Sequence, residues 1–227
     1  MMAKVAQLRT VSEPKQARSE DTLRRLLKAA EELIVEKGHR AVSIPDIARR
    51  AGSSVGGFYA RFRDRNELLR ALEERHFIEL NERVERLADP TRWAGAETAA
   101  IVEAGVAELV TITRERRPII AAFLANALED PVLLEGGLRF RRSVEERLSA
   151  LFLTRRDEMT HPDPALAIEL AIQTAFAIMQ QHVLIEETRA QGRALTDEEL
   201  RRELTTLVLR YVGIEPRRRR SARDCRR

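Results

Sequence analysis

Residues 43–69 read SIPDIARRAGSSVGGFYARFRDRNELL, and this stretch decides the fold of the first third of the chain. Ser43 stands before a short run whose apolar residues share one helical stripe, which is the position of a helix N-cap. Gly52 ends that run, because glycine readily closes a helix. Either Ser53 or Ser54 then caps a second short helix. The stretch therefore predicts two short helices joined by a tight turn.

The second short helix carries apolar and aromatic residues at helical spacing, namely Val55, Phe58, Tyr59 and Phe62. We expect Val55, Phe58 and Phe62 to face inward on one stripe, which leaves Tyr59 on the opposite flank. Together with the preceding helix, the pattern over residues 43–62 is typical of a helix-turn-helix unit. Because the major groove of B-DNA admits one helix, double-stranded DNA is the predicted partner.

A longer helix before this unit completes a three-helix bundle, and a further long helix follows it. The first is predicted to begin with Ser19 as its N-cap and to end at Gly38, with apolar residues recurring three and four positions apart. Asp64 and Glu67 form a capping box for the helix that follows, which runs to about Leu87.

The rest of the chain also predicts helices, because apolar residues keep helical spacing and no sustained strand alternation is found. Helices are expected near residues 95–116, 118–129, 132–153, 165–191 and 196–212. The helix near residues 165–191 is apolar almost all round, so it needs burial on two sides. A second copy of the chain covers the outer side most simply. The fold class is therefore all-α, and a homodimer through the last two helices, residues 165–191 and 196–212, is expected.

Charge is distributed unevenly along the chain. Residues 1–75 carry 16 Lys and Arg against 11 Asp and Glu, residues 76–215 carry 17 against 24, and residues 216–227 carry 7 against 1. A basic block favours a polyanionic partner, so a nucleic-acid contact is expected in the first third of the chain. The like-charge run at the C-terminus is expected to be disordered.

The quoted stretch resembles the DNA-binding segment of the tetracycline-repressor (TetR) family. The shared residues include Asp-Ile-Ala in the first short helix, Ala-Gly at the turn, Phe-Tyr in the second helix, and Glu-Leu-Leu at the start of the long helix. The resemblance implies a homodimeric regulator that binds a palindromic operator and represses transcription until a small-molecule inducer releases it. It divides the chain into a flexible arm (1–18), a DNA-binding domain (19–75), a helical ligand-binding and dimerisation domain (76–213) and a disordered basic tail (214–227).

Carried over position by position, the resemblance implies that Tyr59 and Arg65 contact DNA phosphates, and that Arg61 stands where the family usually has histidine. Val55 and Gly57 fall on positions that commonly supply base contacts, yet neither has a hydrogen-bonding side chain. The candidate DNA-binding residues are Ser54, Val55, Gly57, Tyr59, Arg61 and Arg65. We therefore hypothesise that much of the sequence preference comes from DNA shape and deformability, or from side chains of the N-terminal arm, Lys15 and Arg18.

Arg65 carries a second argument, because a cation in the first turn of a helix opposes the helix dipole. A DNA phosphate docked at that N-terminus would satisfy both the exposed amides and the guanidinium. The alternative is that Arg65 is merely solvated. The spacing of the charges leaves both alternatives open.

A ligand pocket within the C-terminal helices is also implied by the resemblance. Its candidate lining residues combine aromatic or apolar side chains with polar groups on apolar surfaces: Phe123, Asn126, Phe140, Phe176, Met179, Gln180 and His182. The same aromatic residues are typical of an ordinary core, and the polar ones are equally suited to hydrogen bonds across a dimer interface. Nothing in the sequence identifies the inducer.

Catalysis is not expected. The four histidines, His39, His76, His161 and His182, lie on separate predicted elements without metal-ligand spacing. A glycine-rich phosphate loop and a nucleophile elbow are also missing from the sequence. No metal or cofactor is predicted.

Two other functions stay open for the chain: a DNA-binding dimer that responds to no ligand, and a helical interaction module whose basic face meets an acidic protein. The longest uncharged run has 16 residues, which is shorter than the roughly 18 to 20 of a membrane-spanning helix. The first twenty residues contain no apolar stretch typical of a secretory leader. No membrane partner is therefore predicted, and a cytoplasmic location is expected.

Overall fold

The structure is a computed structural model that describes residues 17–185, 189–190 and 192–215. The predicted arm up to residue 16 and the predicted basic tail from residue 216 lie outside the described residues. The described residues are almost entirely helical, which confirms the predicted all-α class. The helices are α1 (Ala17–Lys37), α2 (Ile44–Arg50), α3 (Val55–Tyr59), α4 (Arg65–Ala88), α5 (Thr98–Ala127), α6 (Pro131–Leu153), α7 (Pro164–Leu184) and α8 (Asp197–Val212).

The chain divides into two compact units. The first unit contains the described residues up to Val84 together with Arg114–Val144, and the second contains Glu85–Thr113 together with the described residues from Glu145 on. The predicted domain boundary after residue 75 falls inside α4 and does not follow this division. The division of the chain into functional domains stays a prediction.

The core of the first unit holds the helix-turn-helix in place. The aromatic rings of Phe58 and Phe62 are fully buried, and their centroids are 5.4 Å apart. They belong to one cluster with apolar residues from α1, α4, α5 and α6, including Leu26, Leu27, Leu33, Leu68, Leu69, Ile119 and Leu133. These residues recur at helical spacing, so each amphipathic helix turns one face toward the common core.

In the second unit, α7 and α8 bury apolar side chains such as Met179 and Leu204 in one cluster. The predicted start of α8 is confirmed, because the Thr196 hydroxyl accepts from the Glu199 amide at 3.2 Å and the Glu199 carboxylate accepts from the Thr196 amide at 3.0 Å. Gly213 ends the helix in the left-handed conformation at φ 80°, as glycine does most easily.

Two predicted helix starts were wrong. The helices expected on either side of Pro118 form the single helix α5. A proline inside a helix removes one backbone donor, but buried residues on both sides of it, Val110 and Ile119, hold the helix in its packing. The first helix already includes Ala17, so Ser19 lies inside it and is not its N-cap.

The end predicted for the helix near residues 165–191 was also wrong, because α7 ends at Leu184. The uncharged apolar run stops at Ile185, so a longer helix would have no further apolar face to bury. A short antiparallel hairpin follows, formed by β1 (Arg189–Ala190) and β2 (Arg193–Ala194). Strands of two residues are too short to leave an alternation pattern in the sequence.

Candidate nucleic-acid interface

Serine caps and a glycine turn set the geometry of the helix-turn-helix. The Ser43 hydroxyl accepts a hydrogen bond from the Asp46 amide at 3.2 Å, so the predicted cap of α2 is confirmed. Of the two serines considered for α3, Ser54 is the cap, because its hydroxyl accepts from the Gly57 amide at 2.9 Å. Gly52 adopts a positive φ of 61°, which glycine tolerates best, and so lets the chain leave α2 and enter α3 within a tight turn.

Helix α3 has one buried face and one exposed face. Phe58 is fully buried, whereas Tyr59 is 54% exposed and lies edge-on to the Phe58 ring, with 5.6 Å between the centroids. Val55 is 41% exposed, so the prediction that it faces inward was wrong. The helix is only five residues long, and Val55 at its first position lies beyond the edge of the core. The exposed face therefore presents Val55 and Tyr59 on a rigid support.

Gly56 and Gly57 leave the surface of α3 near Val55 and Tyr59 without projecting side chains. A Cβ atom at Gly56 would lie 3.8 Å from the Ser54 hydroxyl, so that position has room for a side chain. At Gly57 a Cβ atom would lie 2.5 Å from the Ser53 hydroxyl, so a larger residue there would displace that side chain. Backbone atoms therefore form much of the α3 surface, and hydrogen-bonding side chains for base edges are few.

Arg65 has a partner that neither sequence-based alternative foresaw. Its Nη2 group donates to the backbone carbonyl of His39, which lies in a single 3₁₀ turn (His39–Ala41) between α1 and α2. At the start of α4 the Glu67 amide donates to the Asp64 carboxylate at 2.8 Å. The His39 carbonyl is thus a partner within the protein for Arg65, the cation in the first turn of α4. A bound phosphate is therefore not needed to explain why an arginine stands at this position. Contact between Arg65 and DNA stays a prediction.

Two further arginines flank the end of α3. Arg61 is half-buried, and its Nε atom is buried without a hydrogen-bond partner among the described residues. Arg63 is exposed and lies 3.6 Å from the Glu67 carboxylate, an ion pair worth little at the surface. Their positive charge lies beside the exposed face of α3, where an anionic partner would be attracted.

An ion pair between distant positions fixes α2 against α1. Both terminal nitrogens of Arg50 donate to the Glu36 carboxylate at 2.8 Å, and one also reaches Glu32 at 3.4 Å. The hydrogen bonds from Arg50 hold the pKa of Glu36 below its usual value. Sequence reasoning missed this pair because its members are 14 residues apart and meet only in the folded chain.

A second missed pair joins α4 to the start of α6. The Nε group of Arg70 donates to both oxygens of the buried Asp130 carboxylate, at 3.1 and 2.8 Å. The same carboxylate accepts from the amides of Val132 at 3.0 Å and Leu133 at 3.3 Å, so it also caps α6. Burial by itself raises the pKa of Asp130, but the hydrogen bonds from Arg70 and the two amides outweigh it and lower that pKa.

Three of the predicted pocket residues lie in the first unit. Phe123 is buried, and its ring centroid lies 6.4 Å from that of Phe77. Phe140 stacks on the same Phe77 ring, with a centroid distance of 4.5 Å and nearly parallel planes. The Asn126 amide donates to the carbonyl of Ala122 at 2.6 Å, within α5. These contacts are those of an aromatic core.

The other four predicted pocket residues lie on α7 in the second unit. Met179 is buried, Phe176 and His182 are half-buried, and Gln180 is exposed. The predicted set is therefore split between the two compact units. A pocket that draws on both halves of the set stays a prediction.

Neither a membrane span nor a metal cluster is found among the residues that the structure describes. Each of their helices is too short or too polar to cross a bilayer. Histidine, cysteine and carboxylate side chains do not gather there in groups of three or more that could hold a metal ion.

Comparison with known proteins identifies the segment that contains this site. Residues 26–72, which run from α1 through α2 and α3 into α4, match the model of the bacterial regulatory proteins of the tetR family. The segment from residue 26 to residue 72 is therefore similar to that family. A curated relative, the Transposon Tn10 TetC protein of Escherichia coli, is 33% identical over 78 residues, which cover 34% of this chain and 40% of that protein. The chain therefore matches less than half the length of this relative.

Solved structures extend the likeness from this segment to the fold of most of the chain. A tetR-family transcriptional regulator structure from Mesorhizobium loti MAFF303099 has a TM-score of 0.69 and 20% identity, and the likeness covers 86% of this chain and 97% of that one. The structure of RolR in complex with the ligand resorcinol has a TM-score of 0.54 and 25% identity, and covers 88% of this chain and 92% of that one.

Proposed function

We propose that this chain is a sequence-specific DNA-binding transcriptional regulator of the tetR family, and that it acts as a homodimer on a palindromic operator. The proposal rests on the two faces of α3, where a fully buried Phe58 supports an exposed Tyr59 and an exposed Val55. A short helix held rigidly on one side and open on the other has the geometry of a recognition helix in the major groove.

The side chains around α3 divide into phosphate and base contacts. We assign phosphate contacts to the Tyr59 hydroxyl, to Arg61 and Arg65, and to the Ser54 hydroxyl at the N-terminus of α3. To Val55 we assign contact with a thymine methyl group. Because Gly57 offers no side chain, DNA shape supplies much of the remaining sequence preference.

The outer face of α7 supports a second copy of the chain as partner. Exposed residues recur along it at spacings of four and three, which is the repeat of a helix-packing seam: Leu166, Leu170, Gln173, Ala177, Gln180 and Leu184. On α8 the exposed side chains include two large apolar ones, Leu207 and Tyr211. Apolar side chains at this spacing gain free energy when a matching helix face covers them, and a two-fold dimer supplies the same face twice.

Selection of bound sequences from random duplexes tests this function. We expect a two-fold symmetric site whose half-site centres lie about 10 base pairs, or a multiple of that, apart. The logarithm of the affinity should fall with the logarithm of the salt concentration, at a slope of about −0.9 for each neutralised phosphate. The assignment would be refuted if the selection enriched no sequence and the protein also failed to bind DNA in dilute buffer.

We further propose that the chain is a repressor that a small molecule releases from its operator. The RolR structure, which shares 25% identity with this chain, was solved with resorcinol bound, so small phenols are the first compounds to test. A ligand that binds the folded state raises the midpoint of thermal unfolding. We expect at least one compound of a panel to raise the midpoint and also to release bound operator. A panel without any such compound would favour the ligand-independent dimer.

A further inference from the structure

Helix α4 carries two buried titratable residues that the DNA-binding surface does not use. Glu73 is 5% exposed and His76 is 4% exposed, and both lie in the first unit. Burying a charged carboxylate or imidazolium costs free energy unless the group is paired, so the surroundings of these two residues indicate whether each is charged or neutral in the folded chain.

The Glu73 carboxyl lies directly against the backbone of α6. The residue that faces it is Gly136, and a methyl group at that position would overlap the Glu73 Oε2 atom. No hydrogen bond or ion pair of this carboxyl is found among the described residues. The neighbouring glycine of α6, Gly137, has open space at its Cβ position. The close approach is therefore specific to the pair of Glu73 and Gly136.

The charged groups around Glu73 leave it without a dedicated counterion. The pKa of Glu73 is raised to about 8, chiefly by burial and to a smaller extent by the nearby Asp130 carboxylate. Arg139 of α6 acts in the opposite direction. The guanidinium of Arg70, on α4 itself, donates to Asp130. At neutral pH the carboxyl is therefore mostly protonated.

His76, one turn further along α4, faces the aromatic rings of α5. Its ring centroid lies 5.7 Å from that of Phe123, and its Nε2 atom is buried without a hydrogen-bond partner among the described residues. The pKa of His76 is lowered to about 4, chiefly by burial and to a smaller extent by the charges of Arg116 on α5 and Arg75 on α4. His76 is therefore neutral throughout the range in which Glu73 titrates.

We propose that Glu73 and Gly136 form a proton-dependent contact through which α6 positions α4, and with it the helix-turn-helix at the N-terminal end of α4. The part of this inference that concerns operator binding rests on the proposed DNA-binding function. When the carboxyl loses its proton, its charge is repelled by the Asp130 carboxylate and attracted only by the guanidinium of Arg139. A largely buried charge needs more solvent than this position offers, so the packing of α6 against α4 loosens.

The direction of the pH dependence follows from the two pKa values. An unfolded glutamate has a pKa near 4.5 and the folded Glu73 a pKa of about 8, so the stability that its proton contributes is complete below pH 4.5 and is lost as the pH rises through 8. His76 has the opposite sign, because its contribution is complete above 6.5 and is lost as the pH falls through about 4. Measurements between pH 6.5 and 9.5 therefore isolate Glu73 within this cluster.

The first test compares the native chain with Glu73→Gln, which has nearly the same shape and cannot ionise. Operator affinity is measured by fluorescence anisotropy at constant salt from pH 6.5 to 9.5, and unfolding midpoints are recorded in the same buffers. We expect the affinity of the native chain to fall above pH 8 by up to about tenfold per pH unit, and that of the variant to stay level. Equal falls in both chains would overturn the proposal.

The second test uses the two adjacent glycines. Gly136→Ala places a methyl group on the Glu73 carboxyl, so we expect weaker operator binding at pH 7, whereas the matched control Gly137→Ala keeps native affinity and gains helix stability. In a Glu73→Ala background the overlap disappears, and Gly136→Ala should then be harmless. An equal loss in both backgrounds would show that the contact does not act through Glu73.

The unfolding measurements separate this inference from the function on which it partly rests. If no chain binds DNA at any pH, the proposed DNA-binding function is refuted. The pH dependence of the midpoints then still decides whether Glu73 titrates in the contact. Midpoints that change with pH identically in the native chain and in Glu73→Gln would overturn the contact itself.

Discussion

Helices α3 and α7 each bury one face and expose the other, but the exposed faces differ in chemistry. Helix α3 exposes a valine, two glycine positions and the phenol of Tyr59, next to the guanidinium groups of Arg61 and Arg63. Helix α7 exposes leucines and uncharged polar residues in a repeating seam, with Leu166, Leu170 and Leu184 each about half exposed.

The contrast indicates two kinds of partner for one chain. A small, hydroxyl-bearing surface with cations beside it suits a polyanion, whose phosphates accept hydrogen bonds. A leucine seam suits another apolar helix, because its free energy comes from removing apolar area from water. Each helix depends on its buried face to hold the exposed one in place, so variants of the two faces should have separable effects.

The largest effect is expected when the support of α3 is removed. Phe58→Ala deletes a fully buried ring, and we expect it to lower the free energy of unfolding by about 3 to 5 kcal/mol. Val55→Ala, on the exposed face, should cost less than about 1 kcal/mol. Chemical denaturation of both variants measures the difference. Similar losses for both would show that α3 is not divided into a supporting and a free face.

The next effect concerns the ion pair behind the helix-turn-helix. Arg70→Ala leaves the Asp130 carboxylate buried and unpaired, so we expect a loss of about 3 kcal/mol in the free energy of unfolding. Arg142→Ala, which breaks an exposed pair with Glu135, should cost at most about 1 kcal/mol. Denaturation at pH 7 compares them. Because the folded pKa of Asp130 is lowered, its contribution is present above its ordinary pKa of 3.8 and is lost at lower pH.

A third prediction addresses the exposed face of α7. Leu170→Glu places a charge in the seam, and we expect the dissociation constant of the dimer to rise more than about tenfold, because burying a leucine is worth roughly 2 kcal/mol. Leu134→Glu on α6 is a matched control, since both leucines are 44% exposed. Analytical ultracentrifugation at several concentrations decides the matter. If both variants dissociated to the same extent, or if neither dissociated more than the native chain, the result would count against the α7 interface.

The smallest effect is expected for a single hydroxyl group. Tyr59→Phe keeps the ring against Phe58 and removes only the proposed phosphate contact, so operator affinity should fall about fivefold, which corresponds to roughly 1 kcal/mol. The loss should be similar for different operator sequences, because phosphate contacts carry no base information. Tyr211→Phe, on α8, is the control. A loss confined to one operator would instead indicate that Tyr59 reads bases.

Local signals predicted most of the elements that build the candidate interface. Ser43 and Gly52 were placed correctly as cap and turn, and Ser54 was one of the two serines considered for the second cap, because capping depends on residues only three positions apart. Val55 and Pro118 were misplaced for a common reason. Whether a residue at the edge of a helix is buried, and whether a helix continues past a proline, depends on neighbours that the local pattern does not contain.

The amino-acid sequence by itself determined that the chain is helical, where its short helices are capped, and that α3 belongs to a helix-turn-helix. These properties follow from hydrogen bonds and apolar spacing within a few residues. Only the tertiary structure decided that Arg65 bonds to the His39 carbonyl, that Arg70 pairs with Asp130, and that Glu73 lies without a partner against Gly136. Such contacts join residues 26 to 63 positions apart, and the desolvation that shifts the pKa of Glu73 exists only once those segments have packed together.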